Sequence, residues 1–432
     1  MEILKKIRSN NRLPILLFFI ILLNYIPLFI INYDVKTSNA VKVKEMTICF
    51  AIECILLILF LFKKLKFDKE FKIHFGLLAL TTFCMFIVQT KNYYSGNYEI
   101  MDFANIVCIA INIFFLFNCL LNIKVDEKNI YSFFRGIICL GIIACIYNII
   151  LYKAEILTLL GLSEKPFFNS IKSFFAHRNQ FAIFLYICII SNVFMLFSSN
   201  KKILYVITLI LFCANLIFTA SRTGLLCTLV FIFLLLATTN KISKKNKIKL
   251  FIVLILLGIA MLTIIYNFMP KAVQTIEKVF IRKSTIKNFT GRSTIWSVGI
   301  GLITQNIATF IFGVGRFIGI KALDTTQYAS VTQFHSFYVD MLVTGGIMEL
   351  LYLLFIYFTV IRKVVKSNID TKYKRIYISV FISYAIYCLC ESLGRFSIGC
   401  ADTVCLITFI SIPLLHANSI TNEKLIEEGK EI

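Results

Sequence analysis

Arg222, Arg292 and His335 are three side chains with the chemistry needed to hold and attack a phosphorylated substrate. Guanidinium groups bind phosphate oxygens through paired hydrogen bonds and stay charged at any physiological pH, so they suit a diphosphate leaving group. A histidine beside them could remove a proton from an attacking hydroxyl. These three residues are therefore the candidate catalytic residues.

Arg222 is the single charged residue between Lys202 and Lys241. At about 1.5 Å per residue this apolar stretch would form a helix of roughly 57 Å, about twice the thickness of the hydrocarbon core of a bilayer. The sequence therefore predicts two helices joined by a turn at Ser221–Gly224, with Gly224 allowing the turn and Ser221 capping the second helix. Snorkelling of the Arg222 guanidinium to the lipid headgroups is the alternative to a functional role, and it stays open.

The elements around these residues are predicted to be membrane-spanning helices. The chain has 432 residues, of which 59% are hydrophobic, against about 45–50% in soluble domains. We expect an all-α polytopic membrane protein, a single domain over residues 1–432, with about twelve transmembrane helices. The apolar runs are 13–31, 46–62, 73–88, 103–123, 133–152, 181–197, 203–220, 223–239, 248–268, 337–360, 376–389 and 403–415.

The net charge of +22 follows the predicted membrane topology. Lys and Arg are concentrated in alternate loops, which the positive-inside rule assigns to the cytoplasm together with both termini and the tail 416–432. No nucleic-acid partner is expected, because the basic residues flank helices instead of forming one surface. The 14 cysteines are scattered through apolar segments and are predicted to be small buried residues, with no disulfide framework or zinc site.

A large external loop at 269–334, between helices 9 and 10, is expected to be partly helical because a structureless loop of this length is uncommon. An amphipathic helix is predicted over 272–280, lying on the membrane surface. A second helix is predicted to start at Ser293 as N-cap and to continue through Trp296 to Ile307. Gly313 and Gly315 are then expected to break regular structure and to allow a tight reversal or a close backbone approach.

Further substrate contacts are expected on the same outer face. Asp340, one turn after Ser336, could orient His335 or an arginine, or could cap its helix or pair with Arg395. The outer acids Glu155, Glu164, Glu277, Asp324, Glu391 and Asp402 are dispersed and form no D-x-D pair, which disfavours a metal site, and no cofactor is expected. The candidate substrate-binding residues are His177, Arg178, Asn179, Ser221, Gly313, Gly315, Ser336, Asp340 and Arg395.

The order and spacing of these elements resemble those of the bacterial O-antigen ligase and Wzy-type polysaccharide polymerase superfamily. The chain departs from the family pattern at Ser336, where asparagine is common, and at 306–309, where a proline often precedes the G-x-G. The elements that carry the resemblance are His177-Arg178-Asn179, Ser221-Arg222-Thr223-Gly224, Gly291-Arg292-Ser293-Thr294-Ile295-Trp296, Phe312-Gly313-Val314-Gly315, His335-Ser336-Phe337 and Gly345-Gly346-Ile347.

The resemblance implies a metal-independent glycosyltransferase that uses a polyprenyl-diphosphate-linked glycan as donor. It assigns the diphosphate to Arg222 and Arg292, and the acceptor hydroxyl or the leaving group to His335. The favoured function is a polymerase of undecaprenyl-diphosphate-linked repeat units of an O-antigen, capsule or exopolysaccharide, at the outer face of the bacterial cytoplasmic membrane. Its expected partners are the lipid-linked donor and acceptor, membrane lipids and, optionally, a chain-length regulator.

Two alternatives stay open. An O-antigen ligase would transfer finished glycan to a lipid core or a protein, and it shares the same motifs. A polysaccharide transporter or flippase would also have about twelve helices, and it would need intramembrane acids such as Glu53 and Glu349. It would show functional charges at the bilayer midplane and repeated helix patterns, whereas the charged candidates here lie at one face.

Overall fold

The computed structural model describes residues 12–30, 39–61, 64–96, 99–160, 162, 171–175, 177–238, 292–324, 333–392 and 400–419. Within these ranges the chain is helical and forms no β-sheet, which confirms the all-α prediction. The helices are α1 Leu13–Ile30, α2 Asn39–Leu61, α3 Lys69–Tyr94, α4 Ile100–Leu116, α5 Glu127–Leu151, α6 Lys153–Leu159, α7 Arg178–Ser198, α8 Lys202–Phe218, α9 Arg222–Thr238, α10 Arg292–Ile303, α11 Ile307–Phe312, α12 Arg316–Asp324, α13 Phe337–Lys366, α14 Thr371–Cys390, α15 Cys400–Leu406 and α16 Ile412–Ala417.

The predicted apolar runs coincide with helices wherever the structure describes them, and the run 248–268 lies outside the described residues. Among the described helices, five are long and apolar enough to cross a membrane: α3, α4 with the short turn after it, α5, α7 and α13. Shorter apolar helices are present in α1, α2, α8, α9 and the 402–417 region. The membrane character is therefore supported, and the number of twelve crossings stays a prediction.

The contacts divide the chain into two compact units. Unit 1 comprises 1–133, 291–369 and 385–432, and unit 2 comprises 134–290 and 370–384. The candidate residues are divided between the two units.

In unit 2, α7 is the central helix and packs against α8 and α9. Its side chains from Phe181 to Met195 are buried around the whole helix, as expected for a helix that is apolar on every side. Buried polar contacts cross between the helices of this unit, among them Asn192 donating to Thr208 at 2.5 Å and Asn148 donating to Asn215 at 2.9 Å. Such hydrogen-bonded pairs favour one register between apolar helices that could otherwise slide along each other.

In unit 1, α13 is the hub, and α3, α10, α11, α12 and α16 pack against it. The helix is broken at Gly345 and Gly346, where φ and ψ leave helical values and Gly346 has a φ of 70°. A glycine pair permits this kink because a left-handed residue would strain any other side chain. The kink makes room for α11, whose Ile311 and Phe312 backbone lies directly against Gly346.

The part of the predicted loop that the structure describes folds as three short helices, α10 to α12, around a small apolar core. The second predicted helix is present with different ends: α10 begins at Arg292, so Ser293 lies inside it and is not its N-cap. Ile307 belongs to α11, because Asn306 and Thr309 form a capping box that starts a new helix. The predicted amphipathic helix over 272–280 lies outside the described residues.

Candidate functional site

The centre of the candidate site in unit 1 is a buried carboxylate, Glu391, directly after α14. The Nη2 of Arg292, the first residue of α10, lies 2.7 Å from Glu391 Oε1, with 18% and 3% of the two side chains exposed. His335 Nδ1 lies 3.9 Å from Glu391 Oε2, which is longer than a hydrogen bond. Arg292 and His335, two of the predicted catalytic residues, thus meet on one acid.

Glu391 is ionised at neutral pH. Burial by itself would raise the pKa of this carboxyl group, but the neighbouring His335 and the positive charge of Arg292 outweigh burial and hold the pKa below its ordinary value. The carboxylate therefore neutralises Arg292 in part and can stabilise a positive charge that develops on the histidine ring during a reaction.

His335 has an unusual backbone conformation. Its φ is 53°, in the left-handed region that a histidine seldom adopts. Gln333 Nε2 lies 3.3 Å from His335 Nδ1, on the ring nitrogen that also faces Glu391. The imidazole is 27% exposed, so part of the ring is accessible to a substrate.

Ser336 and Asp340 shape the start of α13. Ser336 occupies the N-cap position, but its side chain makes no capping hydrogen bond. Asp340 Oδ1 accepts a hydrogen bond from the Phe334 backbone N–H at 3.4 Å, next to His335. This bond is with the residue before His335, so the predicted role of Asp340 in orienting His335 stays a prediction, and Arg395 lies outside the described residues.

Gly313 and Gly315 make the close backbone approach that the sequence predicts. Both have positive φ, and the backbone N–H groups of Val314 and Gly315 donate to Val343 O at 2.8 and 3.2 Å. These bonds satisfy the Val343 carbonyl, which the kink in α13 leaves without its partner in the helix. The two glycines thus hold α13, and their predicted contact with substrate stays a prediction.

In unit 2, the predicted residues 177–179 and 221–222 come together at adjacent ends of α7 and α9. His177 is the N-cap of α7, and its Nδ1 accepts from the Asn179 N–H at 3.2 Å. Ser221 Oγ donates to Asn179 Oδ1 at 3.2 Å and accepts from the Gly224 N–H at 3.4 Å, so Ser221 caps α9 as predicted. Arg178 and Arg222 are the first residues of these two helices, and Arg222 is exposed.

The turn before Arg222 is made differently from the prediction. The left-handed residue is Ala220, with a φ of 52°, whereas Gly224 lies inside α9. A Cβ at Gly224 would lie 3.0 Å from Ala182 Cβ, so the glycine allows α9 to pack closely against α7. The predicted chain reversal is confirmed, and the prediction that Gly224 provides the turn is wrong.

Glu391 is the site residue that the sequence does not identify, since it is one of several dispersed acids on the predicted outer face. The sequence gives one weak signal for Glu391: it is a lone acid directly after an apolar run, where an uncompensated charge is costly in free energy. Within the described ranges, no three His, Cys, Asp or Glu side chains form a group that could hold a metal ion.

The lowered pKa of Glu391 predicts a pH-dependent stability. A carboxyl group whose pKa is depressed on folding contributes stability above its ordinary pKa of about 4.3, and loses it as the pH falls through the folded-state value. We therefore expect the thermal midpoint of the wild-type protein to exceed that of Glu391→Gln at pH 7, and this difference to shrink between about pH 5 and pH 3. A difference that stays constant over this range would contradict the ion-pair assignment.

Comparison with known proteins gives one family. A search of the curated proteins found no match. Residues 207–356 match the family described as O-antigen ligase, whose members are glycosyltransferase-like enzymes. The matched segment contains Arg222, Arg292, His335 and the kink of α13. This segment is similar to the O-antigen ligase family, which supports a glycan-transfer type of function.

Proposed function

We propose that this protein polymerises undecaprenyl-diphosphate-linked oligosaccharide repeat units at the outer face of the bacterial cytoplasmic membrane. The observation that carries the proposal is the cluster of Arg292, His335 and Glu391 in unit 1, which combines a diphosphate-binding group with a histidine beside a buried carboxylate. The family match over 207–356 supports glycan transfer as the reaction class.

The transfer requires one bond to form and one to break. A hydroxyl of the acceptor unit attacks the anomeric carbon of the donor glycan, and the bond from that carbon to the diphosphate oxygen breaks. The hydroxyl proton passes to the neutral imidazole of His335, and Glu391 stabilises the imidazolium that forms. The products are the extended lipid-linked glycan and polyprenyl diphosphate.

Arg292 and Arg222 would stabilise the diphosphate as it takes up negative charge. Arg292 is held by Glu391 at 2.7 Å, so its guanidinium is oriented before the substrate binds. Arg222 begins α9 and has an exposed side chain, so its guanidinium is accessible to a phosphate. His177, Arg178 and Asn179, at the start of α7, would contact the glycan or the phosphates.

The topology is part of the proposal. Both termini would be cytoplasmic, and Arg222, Arg292 and His335 would face outward, where lipid-linked units are assembled into polymer. The support is the distribution of Lys and Arg between alternate loops. No metal or cofactor is required by these steps.

A ligase is the second candidate function, because the matched family carries that description. A ligase would use the same donor and the same leaving group, and would differ only in the acceptor. A transporter is the third candidate, favoured by Glu53 and Glu349, which are buried inside helices. The same assay separates all three.

The test is reconstitution of the purified protein in liposomes with lipid-linked repeat units extracted from a host strain that lacks its gene. Long glycan chains on undecaprenyl diphosphate support the polymerase. Transfer only after addition of lipid core supports the ligase. The absence of any transfer by folded, reconstituted protein supports the transporter.

Arg222→Ala is expected to reduce chain formation about 100-fold or more, because it removes a positive charge that would stabilise the leaving diphosphate. Single lipid-linked units should persist, and Arg222→Lys should recover only part of the activity because lysine binds phosphate as a point charge. Lys202→Ala is the matched control, since Lys202 is an exposed cation at the start of α8, and it should behave as wild type. Wild-type chain length from Arg222→Ala would leave snorkelling as the role of this arginine.

A further inference from the structure

We infer that Trp296 is a positioning residue that holds the backbone on which His335 is displayed, an inference that rests on the proposed function of His335. The indole Nε1 of Trp296 donates a hydrogen bond to Phe334 O at 2.9 Å. Phe334 O belongs to the peptide unit that leads into His335, so this bond acts directly on the orientation of the histidine.

The His335 backbone requires such support. Its φ of 53° lies in the left-handed region, where a side chain at Cβ crowds the following carbonyl group. Conformations of this kind persist only when the surrounding contacts hold them in place, and they are concentrated at functional sites.

Phe334 is held at three points. Its N–H donates to Asp340 Oδ1 at 3.4 Å, and its carbonyl accepts from Trp296. Its ring is buried in the apolar core of unit 1 with Ile295 and Val343. Because both backbone groups and the side chain of Phe334 are fixed, His335 has few backbone conformations open to it. The chain must turn sharply at His335 to begin α13.

Helix α10 carries both Trp296, which holds the Phe334 carbonyl, and Arg292, the arginine that binds Glu391. Arg292, Trp296 and Gly299 lie on one face of α10, because residues four and seven positions apart stack along a helix. A Cβ at Gly299 would lie 2.8 Å from Val339 Cγ1 and 2.9 Å from the Phe334 ring, so the glycine lets α10 approach Phe334 closely. One rigid helix thus positions the guanidinium that binds Glu391 and the indole that fixes His335.

The test compares two substitutions that each remove one aromatic donor to a backbone carbonyl. Trp296→Phe removes the bond to Phe334 O. Tyr338→Phe, the matched control, removes the bond from Tyr338 to Ala385 O at 3.1 Å. In the liposome assay we expect Trp296→Phe to lower kcat about 3- to 10-fold with KM for the lipid-linked units little changed, and Tyr338→Phe to stay within about twofold of wild type.

A double-mutant cycle separates positioning from general stability. If Trp296 acts through His335, adding Trp296→Phe to His335→Gln should cause no further loss. An equal additional loss in the His335→Gln background would overturn the positioning role. Full activity of His335→Gln alone would instead contradict the proposed function of the histidine.

A spectroscopic readout remains when His335→Gln has no measurable activity. In protein labelled with 13C at the histidine ring, the His335 signal is assigned by its loss in His335→Gln. Trp296→Phe should shift or broaden this signal at fixed pH and leave the other three histidines unchanged, and Tyr338→Phe should leave all four unchanged. An unshifted His335 signal in Trp296→Phe would overturn the inference.

Discussion

Replacing Arg292 with alanine is expected to abolish glycan transfer and to destabilise unit 1. The substitution removes a charge proposed to stabilise the leaving diphosphate, a loss of about 10²- to 10³-fold in rate for a single preorganised group. It also leaves Glu391, whose side chain is 3% exposed, without the partner at 2.7 Å. Removing one partner of such a buried pair costs about 3–5 kcal/mol. Chain formation in liposomes and the thermal midpoint in detergent measure the two effects.

Lys321→Ala is the matched control for the loss of one cation from an ion pair. Lys321 pairs with Glu99 at 3.0 Å, but the two side chains are 64% and 35% exposed. Because an exposed pair contributes about 0–1 kcal/mol, this variant should retain nearly wild-type activity and stability. An equal loss in both variants would show that net charge, and not the buried pair, is responsible.

The double variant with Arg292→Ala and Glu391→Gln distinguishes the structural role of Arg292 from its role toward the diphosphate. Glutamine removes the unpaired buried charge, so the thermal midpoint should recover in part, while transfer stays well below that of Glu391→Gln alone. Recovery of transfer in this variant would limit Arg292 to neutralising Glu391 and would remove it from the proposed mechanism.

Replacing Gly346 with alanine is expected to prevent the packing of α11 against the kink of α13. Gly346 has a φ of 70°, and an added Cβ would lie 2.3 Å from Ile311 O and 2.5 Å from Phe312 N. These contacts are with backbone atoms, which cannot move aside as a side chain can. The left-handed strain and the overpacking together should cost about 2–5 kcal/mol, measured as a lowered thermal midpoint and yield of folded protein.

Gly301→Ala is the matched control, because nothing lies within 4 Å of the added Cβ and the residue is inside α10. Alanine favours a helix interior over glycine by about 0.5–1 kcal/mol, so this variant should be as stable as wild type or slightly more stable. A stable, active Gly346→Ala protein would mean that the kink is not required.

A large part of the candidate site can be predicted from the sequence, because a charged side chain beside hydrocarbon is costly in free energy and therefore needs an explanation. The predicted topology places Arg292 and His335 on one face, and the structure brings both to Glu391. Glu391 itself could not be assigned from the sequence, because its contact with Arg292 joins residues 99 positions apart. Neither residue type nor local periodicity encodes which distant charge an acid will meet.

The sequence by itself determined that the chain is helical and built for a membrane, since long apolar runs must bury their own backbone hydrogen bonds in helices. It also determined that the run around Arg222 divides into two helices, because its length exceeds one bilayer crossing. Only the tertiary structure decided that Ala220 makes the reversal, that α13 bends at Gly346 and that His335 is left-handed. The physical reason is that these backbone angles are imposed by packing between helices far apart along the chain, and this packing outweighs the local conformational preference of a single residue.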